Sequence, residues 1–322
     1  MKNFLKYFYY RFRETWIALP LISLIMVIFI HPTISSYVSD YMEKINHYDN
    51  VKADSGIPLI TGLLLLLVLI IPIIEFNCLN SKRNNDMIFS MPFSRTSILF
   101  GHWFNGLLQI IIPFTVTFIV ALTLWLQIPD AYSFPNIFRF YGTALLLAAC
   151  IYTFYCLIFI NGNTTADGVV FCFFWTFLPL VACLIITTNI ENYQSGIFIP
   201  PFALMNFADA IDKLVTKSRV TITEEIQFDV DTLPFIWLGI GILCAILMYL
   251  YFNKKRLEAT GDISEAIIGY KPIIPFFGIG VPYVFSGLSA ITTFVIIFDI
   301  IAMIIGFIMY RRGTHFDRKD IV

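Results

Sequence analysis

The sequence predicts an all-α polytopic membrane protein, on three observations. Of its 322 residues, 58% are hydrophobic and 13% charged, far from the roughly 45–50% apolar and 25% charged of soluble domains. Mean hydropathy is +0.79. Apolar runs close to the ~20 residues that cross a bilayer core recur along the chain, and Lys and Arg gather in alternate connections.

Residues 1–15 form the first element. On a helical wheel Phe4, Leu5, Phe8 and Phe12 fall on one side, Lys2, Lys6 and Arg13 on the other, which predicts an amphipathic helix on the inner membrane surface. No small-residue cleavage site follows, so the segment is read as retained. The apolar runs are Trp16–Ile30, Ile57–Ile74, His102–Gln127, Phe138–Ile160, Val169–Thr188, Phe235–Phe252, Ile273–Leu288 and Thr292–Tyr310. The first six make a permease-sized core, residues 16–252. Residues 253–271 are a basic linker, 272–310 a further hydrophobic pair that is either a tight hairpin or re-entrant, and 311–322 a tail.

Orientation follows from the positive charges. Lys2, Lys6, Arg11 and Arg13 precede the first run; Lys82, Arg83 and Arg95 follow the second; Lys254, Lys255 and Arg256 follow the sixth; Arg311, Arg312, Arg318 and Lys319 follow the last. All fall on one side with an even number of spans, which places both termini in the cytoplasm. The outer connections, Pro32–Gly56 and 191–234, are acid-rich. In the second, Leu204, Phe207, Ala208, Ile211, Leu214 and Val215 repeat at helical spacing, and Val220, Ile222, Ile226, Phe228 and Val230 alternate. That pattern predicts a short helix followed by a hairpin, a small α+β extracellular loop.

The sequence carries little that resembles an enzyme. No G-x-x-x-x-G-K-[ST] phosphate loop, HExxH or G-x-S-x-G occurs, and no connection is long enough to hold a nucleotide-binding domain. His31, His47, His102 and His315 are scattered, and read as interfacial or loop residues. The six cysteines lie in apolar runs without a CxxC pair, so neither a disulfide nor a metal site is expected. Nucleic acid is not an expected partner; the lipid bilayer is.

The connection Asn80–Arg95 is the most informative. Pro92 disfavours helix at Met91 and Ser81 suits an N-cap, so a helix of about two turns is predicted over Lys82–Ser90. Met87, Phe89 and Met91 would be exposed apolar anchors beside Lys82, Arg83 and Arg95. Such a helix either docks in a partner's groove or lies on lipid headgroups.

This stretch, LNSKRNNDMIFSMPFSRTSILFGHW, resembles the loop of ABC-2-type transporter permeases of low-GC Gram-positive bacteria, in which Ser-Lys-Arg, two residues, Asp, then Ser-x-Pro-x-Ser-Arg recurs. Tyr251–Asp262, YFNKKRLEATGD, is similar to the basic segment after their sixth span. In overall build the chain is most similar to permeases that export amphipathic peptides, such as the phenol-soluble modulin exporter of staphylococci and its clostridial relatives.

The resemblance implies a six-span ABC-2-like helical bundle in a bacterial cell membrane, paired with itself or a related permease. Separate ATPase subunits would bind ATP and Mg, so this chain would have no catalytic residue and bind no cofactor. Segment 81–91 becomes a coupling helix, with Lys82, Arg83, Asp86, Met87, Phe89 and Met91 meeting the ATPase. The second and fifth spans line the route, through Leu66, Ile70, Phe174 and Phe177, with Asn105 and Gln109 from the third. An apolar, aromatic wall of that kind suits an amphipathic peptide or a lipid. The pair 272–310 departs from the six-span plan.

Two acids fall inside spans, where a charge costs about 2.5–3.5 kcal/mol by insertion scales. Glu75 is close enough to Lys82 or Arg83 to pair with them. Asp299 lies deeper, and reads equally as a subunit contact or a proton-linked group. Asn105, Gln109 and Thr117 share one face of the third span, either lining a wet path or bonding between helices.

Overall fold

A computed structural model describes residues 2–45, 54–80, 82–176, 200–216, 230–255, 264, 268–274, 301, 304, 307 and 308, without the side chains at 2, 3, 45, 82, 83 and 85. All regular structure among them is helical. The elements are α1 (Lys2–Thr15), α2 (Ala18–Ile45), α3 (Ile57–Phe76), α4 (Lys82–Ser90), α5 (Arg95–Trp125), α6 (Phe134–Ile160), α7 (Thr165–Thr176), α8 (Pro200–Val215) and α9 (Leu233–Lys254). Five of them, α2, α3, α5, α6 and α9, are long and apolar enough to cross a membrane, which makes this a multi-pass helical membrane protein.

The centre is α6. Of its apolar window 72% is buried, against 28% for α2, and α3, α5, α8 and α9 all pack on it. Small residues allow the closest approach: a Cβ on Gly241 of α9 would lie 2.7 Å from Cys150 Sγ and 3.2 Å from the Cys150 backbone. Between helices in lipid, where apolar burial gives no drive, such close packing is what holds neighbours together. Outward, Leu21, Leu24, Ile28 and Phe29 of α2 and Ile242, Leu243 and Ile246 of α9 are exposed, as lipid-facing residues should be.

Local signals fix most helix starts. Ser94 caps α5 by accepting from the Ser97 amide at 3.2 Å. Pro58 and Pro135 stand in the first turns of α3 and α6, where a missing N–H costs nothing. Gly56, just before α3, has φ +72°, a left-handed conformation that L side chains rarely adopt.

The first span runs further than its apolar run. Sequence reading closes it at Ile30 and opens a loop at Pro32, but α2 continues to Ile45 with Pro32 inside. Ile30, Ile34 and Val38, one turn apart, are buried on the same side of α2, and that packing outweighs the lost backbone bond at Pro32. The third and fourth spans also start earlier than predicted, at Arg95 and Phe134. The short helix expected after the second span is present, over Lys82–Ser90.

Of the fifth apolar run the described part is α7, and α8 occupies the place of the helix read in the long outer connection. The hairpin expected over Val220–Val230 lies outside the described residues except for Val230, which is helical, and so do the bulk of the C-terminal pair, Phe177 and Asp299. At the end carrying α4, Lys255 Nζ donates to the carbonyls of Ile160 (2.8 Å) and Gly162 (2.6 Å), and Arg95 to that of Lys255 (3.2 Å). At the opposite end Trp125 Nε1 donates to Ser55 O (3.0 Å), Tyr132 Oη to Asp54 O (2.7 Å), and the Ser133 amide to Val215 O (2.8 Å).

Candidate functional site: a buried carboxylate beneath the N-terminal helix

Glu75, next to the last residue of α3, is fully buried. An ionised carboxylate there requires compensation, because both its charge and its lone pairs lose water. Two helices, α5 and α1, supply it. Along α5, His102, Asn105 and Gln109 are spaced i, i+3 and i+7 and so share one face. Asn105 Nδ2 (2.8 Å) and Gln109 Nε2 both donate to Glu75 Oε1. His102 Nδ1 stands 3.2 Å from Oε2.

The cation comes from α1. Tyr7, Arg11 and Thr15 follow one another at four-residue steps, so they project from one side of that helix. Arg11 Nε donates to Glu75 Oε2 at 3.3 Å, while its Nη1 holds Glu14 Oε2 at 2.8 Å. The two partners differ sharply in setting: the Glu14 side chain is 43% exposed, the Glu75 side chain 0%. Asn105 Nδ2 also donates to Thr15 Oγ1 at 3.0 Å.

His102 lies between the carboxylate and Tyr7. With Nδ1–H donating to Glu75, the neutral ring's Nε2 accepts from the Tyr7 hydroxyl, 2.8 Å away. Tyr7 is 2% exposed and reaches this position because Gly101 offers no Cβ, which would lie 2.5 Å from its ring. Cys78 Sγ is 3.8 Å from the same nitrogen. From α6, the buried Tyr152 hydroxyl is seated against Gly106, where a Cβ would lie 2.0 Å away. The one guanidinium of Arg11 thus serves two carboxylates, the buried Glu75 and the part-exposed Glu14.

In α1, burial pushes the Tyr7 hydroxyl well above its ordinary range. Burial also works against the Arg11 charge, but Glu75 and Glu14 more than offset it, so the guanidinium stays protonated.

Two of these residues were legible beforehand in another role. Asn105 and Gln109, expected along a substrate path, are the donors to Glu75. The described ionic partners of Glu75 are Arg11 and His102; the side chains of Lys82 and Arg83, the partners expected from the sequence, lie outside the described residues. His102, grouped with the scattered histidines, is completely buried. The i, i+3, i+7 polar stripe was the signal that could have singled it out.

The remaining expected path residues within the described set lie on α3 and α7. Leu66 and Ile70 are about half exposed on α3, and Phe174 is buried. A separate apolar groove of about 460 Å³ is lined by Leu69 and Ile73 of α3, Val169, Cys172, Phe173 and Thr176 of α7, and Pro201 and Phe202 of α8.

In α4, Asp86 and Met87 are exposed. The exposed anchors expected at Phe89 and Met91 are instead half-buried, and Ile88 is buried. Phe89 turns inward, its ring 6.5 Å from Phe252 of α9 and 5.9 Å below the Arg95 guanidinium. Below them Lys255, stripped of water, is pulled down to about 8. Among the described residues no group of three or more His, Cys, Asp or Glu is placed to hold a metal ion.

No protein-family model matches the chain, and no curated protein matches it. Nothing in those comparisons identifies an ABC-2 permease.

Proposed function

We propose that the chain is the membrane-spanning permease of an ATP-binding-cassette exporter that moves an amphipathic substrate, most plainly a peptide, out of a bacterial cell. The observation that carries this reading is the build of α4. Its Asp86 and Met87 are free for a partner, while Phe89 touches Phe252 of α9, and Arg95 beside it bonds to Lys255. A load applied at α4 therefore reaches the ends of α5, α6 and α9 through packed contacts, as a coupling element requires.

In this reading α7 begins the fifth of six spans, both termini are cytoplasmic, 191–234 is the extracellular α+β loop, and 272–310 is an added hydrophobic pair. Two such permeases bind two cytoplasmic ATPase subunits that carry ATP and Mg. A second reading, an ATP-independent secondary transporter or sensor, is favoured by Glu75, since acids buried at membrane depth often mark proton-linked steps.

Co-expression with the genes adjacent to its own tests the first reading. An ATPase should co-purify with the chain in nanodiscs, and peptide should stimulate ATP hydrolysis. Met87→Asp and Asp86→Ala should each lower that stimulation about tenfold while leaving the yield of folded permease unchanged, since both side chains face away from the bundle. Peptide flux in proteoliposomes without any ATPase would favour the second reading.

A further inference from the structure

We infer that α8 is a half-membrane helix whose unpacked face lines a water-filled cleft, running from the end of the bundle away from α4 to the middle of the membrane, where it meets the apolar groove. The inference narrows the extracellular placement of 191–234 given above, since the last turns of α8 lie at that end and its first turn does not. It needs only the multi-pass character of the chain, whichever reading of function holds.

The depth of α8 follows from its two ends. Asp212 accepts from the Ser55 hydroxyl, two residues before α3. The carbonyls of Leu214 and Val215 accept from Asn136 Nδ2 (3.0 Å) and the Ser133 amide (2.8 Å) at the start of α6. Pro201 and Phe202, by contrast, line the groove together with Leu69 and Ile73, which belong to the other half of α3. At 1.5 Å per residue Phe202 stands about 15 Å further in than Asp212, half of a ~30 Å hydrocarbon core.

A helix that begins there leaves its first amides without partners, and the chain meets this with Pro200 and Pro201, neither of which has an N–H. Irregular backbone at such depth is found buried in protein or beside a water-filled cavity. One side of α8 is protein. Ala203, Leu204, Phe207, Ala208, Ile211 and Val215 are buried toward α3 and α6, with the Phe207 ring stacked on Phe140 at 6.4 Å. Phe202, Asn206, Asp209 and Lys213 follow at i, i+4, i+7 and i+11 and so share the opposite face. Phe202, Asp209 and Lys213 are exposed there, and Asn206 is half-buried.

This face changes character with depth. Phe202 continues the groove, whereas Asn206, about 9 Å further in than Asp212, presents an amide, and Asp209 above it a carboxylate. Neither group suits hydrocarbon, and polar side chains within a membrane face protein or a water-filled cavity. With this face of α8 unpacked, water is the contact left to it. On the exporter reading the cleft carries the polar groups of an amphipathic substrate while its apolar side keeps to the groove.

Labelling of single added cysteines on the full chain in nanodiscs tests this without any ATPase, so its outcome is separate from that of the exporter reading. The reagent is a maleimide bearing a quaternary ammonium group, which does not enter hydrocarbon. Peptide mass spectrometry locates each adduct, so the native cysteines stay in place. Because only a hydrated thiol forms the reactive thiolate, Asn206→Cys should react within about tenfold of Lys213→Cys, and Phe202→Cys more than about tenfold slower than Lys213→Cys. Leu243→Cys, exposed in the middle of α9 where lipid lies, should not react. An Asn206→Cys thiol as inert as Leu243→Cys overturns the cleft and means that a second copy or another protein covers the face. Phe202→Cys as fast as Lys213→Cys overturns the half-membrane depth. Met205→Cys, at the same depth beside that face, answers in place of Asn206→Cys if that variant does not fold.

Discussion

Replacing Arg11 by Met leaves Glu75 buried without its cation, which in other proteins costs about 3–5 kcal/mol. Replacing Glu75 by Gln as well removes the stranded charge. The double variant should therefore lose less stability than the two single losses added together, and denaturant unfolding of the four-member cycle measures the difference. Gly106→Ala should cost about 1–3 kcal/mol, because the Tyr152 hydroxyl occupies the space the methyl group needs and lies among fully buried neighbours. Sequence reading found Glu75 as an anomaly but not its partners. Arg11 looked like one more topological charge in MKNFLKYFYYRFRET, since hydropathy places a charge along the chain and not on a face. His102 was hidden by standing at the start of an apolar run, where an interfacial histidine is ordinary.

At the scale of elements, caps and connections carry the testable consequences. Ser94→Ala should cost about 1 kcal/mol in the stability of α5, read by thermal unfolding, because the Ser97 amide loses its acceptor. Lys255 ties α9 to the end of α6 with a pKa lowered to about 8 from 10.5. In the folded state it binds its proton less readily than in the unfolded chain, so its penalty is complete below pH 8 and fades as pH rises toward 10.5. The thermal midpoint of wild type relative to Lys255→Met should accordingly rise across that window. The α4 helix was legible from Pro92 and its residue pattern, and so was α8 from its periodicity. The extra turns of α2 were not, because Pro32 and Ser35–Ser36 read locally as a break, and only burial of Ile34 and Val38 against the bundle overrides it.

Across the whole molecule the two ends of the bundle are secured by different chemistry, and acid should strengthen the end away from α4. At the end away from α4, Asp212 of α8 accepts from the Ser55 hydroxyl, and burial, then Asp54 and Asp209, raise its carboxyl above the usual range. A carboxyl raised on folding contributes stability below its unfolded pKa and loses it as pH rises through the folded one. Mild acid should therefore raise the protection of the α8 amides in hydrogen–deuterium exchange, and Asp212→Asn should remove that response. The helical, multi-pass character of the protein was plain from composition. Which helix is central was not, because the hydropathies of α5, α6 and α9 are equal at 2.3, while burial of their windows ranges from 33% to 72%. Small residues such as Ala144, Ala148 and Cys150 decide it, and hydropathy averages cannot register size.

The wiring of Glu75 also imposes an order on biosynthesis. Its cation, Arg11, leaves the ribosome 64 residues earlier, whereas its last donor, Gln109, follows 34 residues later. At about 5–20 residues per second, α3 reaches the insertion machinery seconds before α5 can complete the cluster. During that interval α1 has nothing to dock on and the carboxylate lacks the amides of α5. The carboxylate at the end of the second span should therefore stay reachable from water until the third arrives, and a nascent chain arrested before Gln109 should react at Glu75 with a carboxyl-directed reagent that the complete chain excludes.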